Sequence, residues 1–281
     1  MVKKLPDNAI WKHFKGEGEK AHFYGANGFP LNIYNRLLTR LAEKYKISAL
    51  ESRPAWPDIS LPPKSRDWIL YADDLISFIE NECNAPVIGI GHSIGATCTI
   101  LAAEKRPDLF KSLVLIEPAN LPKGLATLAG LLPKSIMNRT QPAKGTLKKK
   151  DIWTSRESFI KDFKQIRGFR NFEEESFQMM AEYGVKETRN GQFQLTFPKV
   201  WEAHNYTKPP YVMGKLENLK MPCVAIRAKP SVFFTEALWQ EWQKRCPNTI
   251  FKEDLSLGHL MPLENSSACF DLIDSGITKM G

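Results

Sequence analysis

One serine in this chain stands between two glycines, directly after an apolar run: Pro86-Val87-Ile88-Gly89-Ile90-Gly91-His92-Ser93-Ile94-Gly95-Ala96. A hydroxyl spaced as Gly-x-Ser-x-Gly can serve as a nucleophile, provided the turn that carries it is tight enough to need small flanking residues. Serine alone is a weak nucleophile, so a base must take its proton as it attacks. Histidine suits that task near neutral pH, and the chain has five: His13, His22, His92, His204 and His259. His92 adjoins the serine and can shape its pocket, but it cannot readily turn back to bond its neighbour. The negative charge that develops on a substrate carbonyl would also need two converging N–H donors.

Such a site requires a fold that makes the turn, and the pattern of elements supplies one. "KAHFYG" reads as a strand and "YNRLLTRLAEKY" as a helix with Leu37, Leu38, Leu41 and Tyr45 on one face. "KISALES" is a second strand, followed by a Pro-rich loop and the helix "DWILYADDLISFIENE". "PVIGIG" is a continuous apolar run, as expected of a parallel strand covered on both faces, and "FKSLVLIEP" is another buried strand, with the helix "ATCTILAAEKRP" between them. From about Ala119 to Asn218 the sequence turns polar, aromatic-rich and mostly helical, and no buried strand is expected there. "MPCVAIRA", "FFTEALWQEWQKR" and "NTIFKEDL" then resume strand, helix and strand. The reading is a doubly wound α/β sheet, mostly parallel, in which residues 1–118 and 219–281 form the core and residues 119–218 an insertion.

Bulk properties narrow the classes of function. The 281 residues, 43% hydrophobic and 25% charged, suit a globular core. No run approaches a membrane span, and the start "MVKKLPDNAIWKHFKG" has no apolar stretch of the signal-peptide kind. The cysteines are odd in number, scattered and without a C-x-x-C pair, which speaks against a zinc site or disulfide framework and for a cytoplasmic setting. The net charge is +8, and residues 121–218 hold seventeen Lys and Arg against ten Asp and Glu, a surplus of seven. An anionic ligand is one reading of that surplus and a solvated helical surface the other. No nucleic-acid motif accompanies it.

A strand, Gly-x-Ser-x-Gly and a helix in succession form the nucleophile elbow of the α/β-hydrolase superfamily, which the chain resembles over nearly its whole length. The resemblance implies that Ser93 is the nucleophile and that residues 119–218 are a helical cap after the superfamily's sixth strand. His259, in "LSLGHLMPLE", occupies the place of the catalytic histidine. Most relatives carry the triad acid in the loop that here reads "RAKPSVFF", where no carboxylate occurs and Ser231 stands about where the aspartate would be. A minority place it after the sixth strand, where this chain has Glu117; Glu253 and Asp254, nearer His259 in sequence, are the alternatives. "HFYGANGFP" resembles an oxyanion loop of some small bacterial hydrolases, so Asn27, or Ala26 one step away, and Ile94 are the expected N–H donors. The activity implied is hydrolysis of small or medium carboxylic esters or thioesters through an acyl-enzyme, without cofactor or metal. A non-catalytic receptor on the same scaffold is the other class.

Overall fold

The computed structural model describes residues 4–84, 86–229, 231 and 234–280. Ten strands occur among them: β1 (Trp11–His13), β2 (Lys20–Tyr24), β3 (Lys46–Leu50), β4 (Val87–His92), β5 (Phe110–Ile116), β6 (Ile152–Trp153), β7 (Val185–Glu187), β8 (Phe193–Leu195), β9 (Cys223–Ala228) and β10 (Ile250–Asp254). Seven of them form one sheet in the order β1-β3-β2-β4-β5-β9-β10. β1 runs antiparallel to β3, and every other pair in the sheet is parallel.

The apolar runs of the sequence become the middle of this sheet because both of its faces are covered. All residues of β4 and β9 are buried, as are those of β5 except Lys111. Successive residues of a strand point to opposite faces. Leu113 and Leu115 accordingly join an apolar layer with Leu75, Leu101 and Trp239. Val114 and Ile116 join the other layer, with Leu37, Leu41 and Ile273. Helices Ile69–Phe78 and Ile94–Lys105 cover the first face, and Asn35–Leu41 and Ser266–Met280 the second. Truncating any one of these buried leucines to alanine would cost about 2–5 kcal/mol.

Between β5 and β9 the chain leaves the sheet and returns about a hundred residues later. Helices dominate there, including Lys123–Leu131, Arg156–Lys164, Glu174–Tyr183 and Lys199–Asn205. The expectation of no buried strand needs correction. β6, β8 and β7 pair into a three-stranded antiparallel sheet whose Trp153, Val185 and Leu195 are buried. Strands of two or three residues carry too little alternation to register against a polar background. The same brevity hid β1.

Candidate active site

Ser93 follows the last residue of β4 and precedes the helix Ile94–Lys105, with φ 55° and ψ −120°. A non-glycine residue at positive φ is strained, by about 1–3 kcal/mol. The strain is held in place by the Ser93 N–H donating to the Ile116 carbonyl at 2.9 Å, and by the Ser93 carbonyl accepting from Thr97 and Ala119. Both flanking glycines are required by close approach. A Cβ at Gly91 would lie 2.5 Å from the Ala96 Cα, and one at Gly95 would lie 2.1 Å from the Tyr24 carbonyl oxygen at the end of β2. The turn therefore packs the first turn of the helix directly against the strand ends, and the hydroxyl faces the cavity above the C-terminal edge of the sheet.

His259 lies in the loop after β10, with its Nε2 3.0 Å from Ser93 Oγ and its Nδ1 3.0 Å from Glu117 Oε2. Because a carboxylate only accepts, Nδ1 carries the proton, and the Nε2 lone pair is turned to the serine hydroxyl. Glu117 immediately follows β5, at φ 47°, and its side chain is fully buried. Three donors converge on it. Ala228 N–H reaches Oε1 at 2.8 Å, while Ser231 Oγ–H at 2.5 Å and the His259 ring meet Oε2. The loop that lacks a carboxylate thus contributes a hydroxyl to the one provided by β5; the rest of it, Pro230, Val232 and Phe233, lies outside the described residues. The alternative acids are engaged elsewhere. Glu253 pairs with buried Arg227, and Asp254 accepts from Ser256 and Leu257.

The His259 loop is itself fastened. Glu264 Oε2 accepts the Gly258 N–H at 2.5 Å, and a Cβ on Gly258 would come within 2.7 Å of the Glu264 carboxylate. On the other side, His92 Nε2–H donates to the His259 carbonyl at 2.8 Å. Since that carbonyl only accepts, the other nitrogen of neutral His92 must accept, and it does so from the Tyr34 hydroxyl at 2.9 Å. The Tyr34 oxygen in turn accepts the Ala26 N–H at 3.0 Å. Burial holds the His92 pKa down to about 3, so the ring remains uncharged and the polarity of this chain of bonds is fixed.

Of the two turn residues considered as oxyanion donors, Ala26 gives its N–H to Tyr34, whereas the N–H groups of Asn27 and Ile94 have no acceptor among the described residues. Both residues border the cavity together with Ser93 and His259. The Asn27 side chain is bound on both sides: Nδ2 donates to the Glu202 carbonyl at 3.0 Å, and Oδ1 accepts from Asn205 at 2.9 Å. The cavity measures about 920 Å³ and lies between the sheet edge and the insertion, with Trp153, Phe159, Phe163, Phe169, Met180 and Tyr206 among its walls. His13, His22 and His204 are not among its lining residues: His13 meets Ser48 Oγ, His22 is buried against Phe78, and His204 meets the Ser65 carbonyl. Among the described residues no group of three or more His, Cys, Asp or Glu side chains could hold a metal ion.

Tyr34, Asn205 and Glu264 escape sequence reading as parts of the site, and Ser231 is marked there only as standing in the place of an expected aspartate. Each acts through a partner fixed only by the fold, and none lies in a motif of its own.

The sequence profile of the alpha/beta hydrolase family matches residues 26–272. An abhydrolase domain-containing protein, ACTT2, of Alternaria alternata is 23% identical over 69% of this chain and 84% of its own. A type I acyl-CoA thioesterase, mpaH, of Penicillium brevicompactum is 32% identical over 48% of this chain and 33% of its own. The crystal structure of E-2-(acetamidomethylene)succinate hydrolase superposes with a TM-score of 0.77 at 17% identity, covering 96% of this chain and 99% of that one, a likeness of fold.

Proposed function

The chain belongs to the alpha/beta hydrolase family, and from that premise we propose that it is a cofactor-independent serine hydrolase cleaving small or medium carboxylic esters, thioesters included, through an acyl-enzyme. The observation that carries the reading is the run of two 3.0 Å contacts, Ser93 Oγ to His259 Nε2 and His259 Nδ1 to Glu117, at one wall of an apolar cavity. The kinship with a thioesterase by name supports the inclusion of thioesters.

In this mechanism Ser93 attacks the carbonyl carbon while His259 takes the hydroxyl proton at Nε2. The imidazolium so formed is stabilised by Glu117, which keeps Nδ1 protonated. The oxyanion is met by the Asn27 and Ile94 N–H groups, the latter at the positive end of the helix Ile94–Lys105. His259 returns its proton to the leaving group, and a water activated by the same nitrogen then releases the acid. Residues 119–218 act as a cap that keeps bulk water from the acyl-enzyme. The cysteines are all unpaired, which supports a cytoplasmic setting.

A fluorophosphonate probe read by intact mass should label the protein once, and Ser93→Ala should abolish the label. On a panel of 4-nitrophenyl esters of graded length, Ser93→Ala and His259→Ala should each cost at least about 10³-fold in kcat. Absence of labelling, or either variant keeping a tenth of the turnover, overturns the reading.

A further inference from the structure

The cavity beside Ser93 is mostly apolar, yet charged side chains stand along its border, and most of them are matched. Lys149 pairs with Glu202, Lys150 lies 2.8 Å from Asp162, and Glu264 is occupied by the Gly258 N–H. Arg167 and Arg170 are different. Both line the cavity, and neither has an ion pair, hydrogen bond or ring contact with any described residue. They flank Phe169, whose ring stacks on Phe163 at 4.4 Å with 24° between planes, so the short turn Arg167–Phe169 is anchored by its aromatic residue while the guanidinium groups stay unclaimed.

We propose that Arg167 and Arg170 form an anion-recognition site for the far end of the substrate, which carries a carboxylate or phosphate in addition to the bond that is cleaved. This deepens the ester-hydrolase reading and rests on it. Guanidinium groups remain charged at every working pH and bind carboxylate or phosphate oxygens through paired N–H groups. The walls Trp153, Phe159 and Phe163 suit an apolar body between the anion and the reacting carbonyl, while both arginines are exposed at the border of the cavity, where an incoming anion can reach them. The surplus of seven positive charges across residues 121–218 adds a long-range attraction of the same sign. The anion has two possible positions on the substrate, the acyl chain or the leaving group, and the chemistry is the same for both.

The test compares matched pairs. Mono-4-nitrophenyl succinate, glutarate and adipate are set against the butyrate, valerate and hexanoate esters, which lack only the terminal charge. Acyl-CoA is set against the N-acetylcysteamine thioester with the same acyl group. In at least one set the charged member should have kcat/KM about tenfold higher at low ionic strength, the gap shrinking as salt rises. In the Arg167→Gln/Arg170→Gln double variant that ratio should fall to near one; because the readout is a ratio, a general loss of activity cannot imitate it, and the thermal midpoint checks folding. A ratio near one in both sets of the wild type, or one that survives in the double variant, overturns the site. If no ester is turned over at all, the hydrolase reading falls and binding decides for the arginines. Glutarate or coenzyme A should then bind Ser93→Ala, read by calorimetry, and lose affinity when both arginines are replaced; equal affinity in the two backgrounds, or no binding, overturns the site.

Discussion

Asn205 Nδ2 donates to Asn27 Oδ1 at 2.9 Å, a bond between residues 178 positions apart in the chain. Asn205 is itself gripped by the Tyr71 hydroxyl at 2.8 Å and by the Trp68 indole N–H, which reaches its carbonyl at 3.1 Å. The insertion therefore holds the turn that presents the Asn27 N–H to the cavity. Asn205→Ala should lower kcat about 10- to 100-fold with little change in KM, since an oxyanion donor displaced by a fraction of an ångström still admits substrate. The affinity of a boronic acid that mimics the tetrahedral intermediate should fall in step with kcat/KM. Loss of thermal stability with unchanged kcat and unchanged boronate affinity would show that the bond serves only folding.

Glu117 and Ser231 give a graded pair of substitutions. Glu117→Gln keeps the shape but favours the wrong imidazole tautomer, and kcat should fall about 10²–10⁴-fold. Ser231→Ala removes one of three donors to the carboxylate and should cost only about 3- to 10-fold. Steady-state rates decide between the roles. If Ser231→Ala proved the more damaging of the two, Glu117 would not be the orienting acid.

Tyr34→Phe should be costly although Tyr34 touches no substrate in the mechanism proposed. Removing its hydroxyl leaves the Ala26 N–H and His92 Nδ1 without partners in a buried setting. Each orphaned group costs about 1–3 kcal/mol. Urea unfolding should register a destabilisation of that order, accompanied by a lower kcat, because the same bonds connect the Ala26 turn to the His259 carbonyl. Unchanged stability would mean that water replaces the hydroxyl.

Stability should depend on pH through groups with opposite signs. Burial depresses His22 and His92 to about 3 from an ordinary 6.5, so the unfolded chain binds protons that the native one refuses. That contribution to stability is complete above 6.5 and is lost as the pH falls toward 3. Burial raises the Glu51 carboxyl from 4.5 to about 7, so its contribution is complete below 4.5 and is lost as the pH rises through 7. Between 6.5 and 4.5 the two oppose each other. Glu51→Gln should steepen the acid decline by on the order of 1 kcal/mol per pH unit, seen as diverging urea midpoints. Parallel profiles for wild type and variant would refute the Glu51 assignment.

The parts of this molecule legible from sequence are those with a local signature. β4, β5 and β9 announce themselves as largely apolar runs because both faces of the sheet are covered, and Ser93 because its flanking glycines stand in a fixed local spacing, although the close approach that forces Gly95 comes from the distant Tyr24 carbonyl. Glu117 became a candidate only through the absence of a carboxylate in the later loop, an inference that leaned on family resemblance. Asn205, Tyr34 and Glu264 left no trace. Their roles depend on distances across the fold, and an asparagine, a tyrosine or a glutamate in a helix or turn looks the same with or without such a partner.

The acid's position has a consequence for how such a protein can diversify. Ser93 and Glu117 belong to one contiguous β4–helix–β5 unit, and the chain departs into the insertion only after the acid has been placed. In the mechanism proposed, nucleophile and acid are therefore inherited together by any recombination that exchanges residues 119–218, whereas an acid in the β9 loop would be separated from its serine by the exchanged segment. The aromatic walls Trp153, Phe159 and Phe163 and the unclaimed arginines belong to the exchangeable part. So does Asn205, and a graft that omitted an equivalent side chain would import a new specificity while loosening the turn at Asn27.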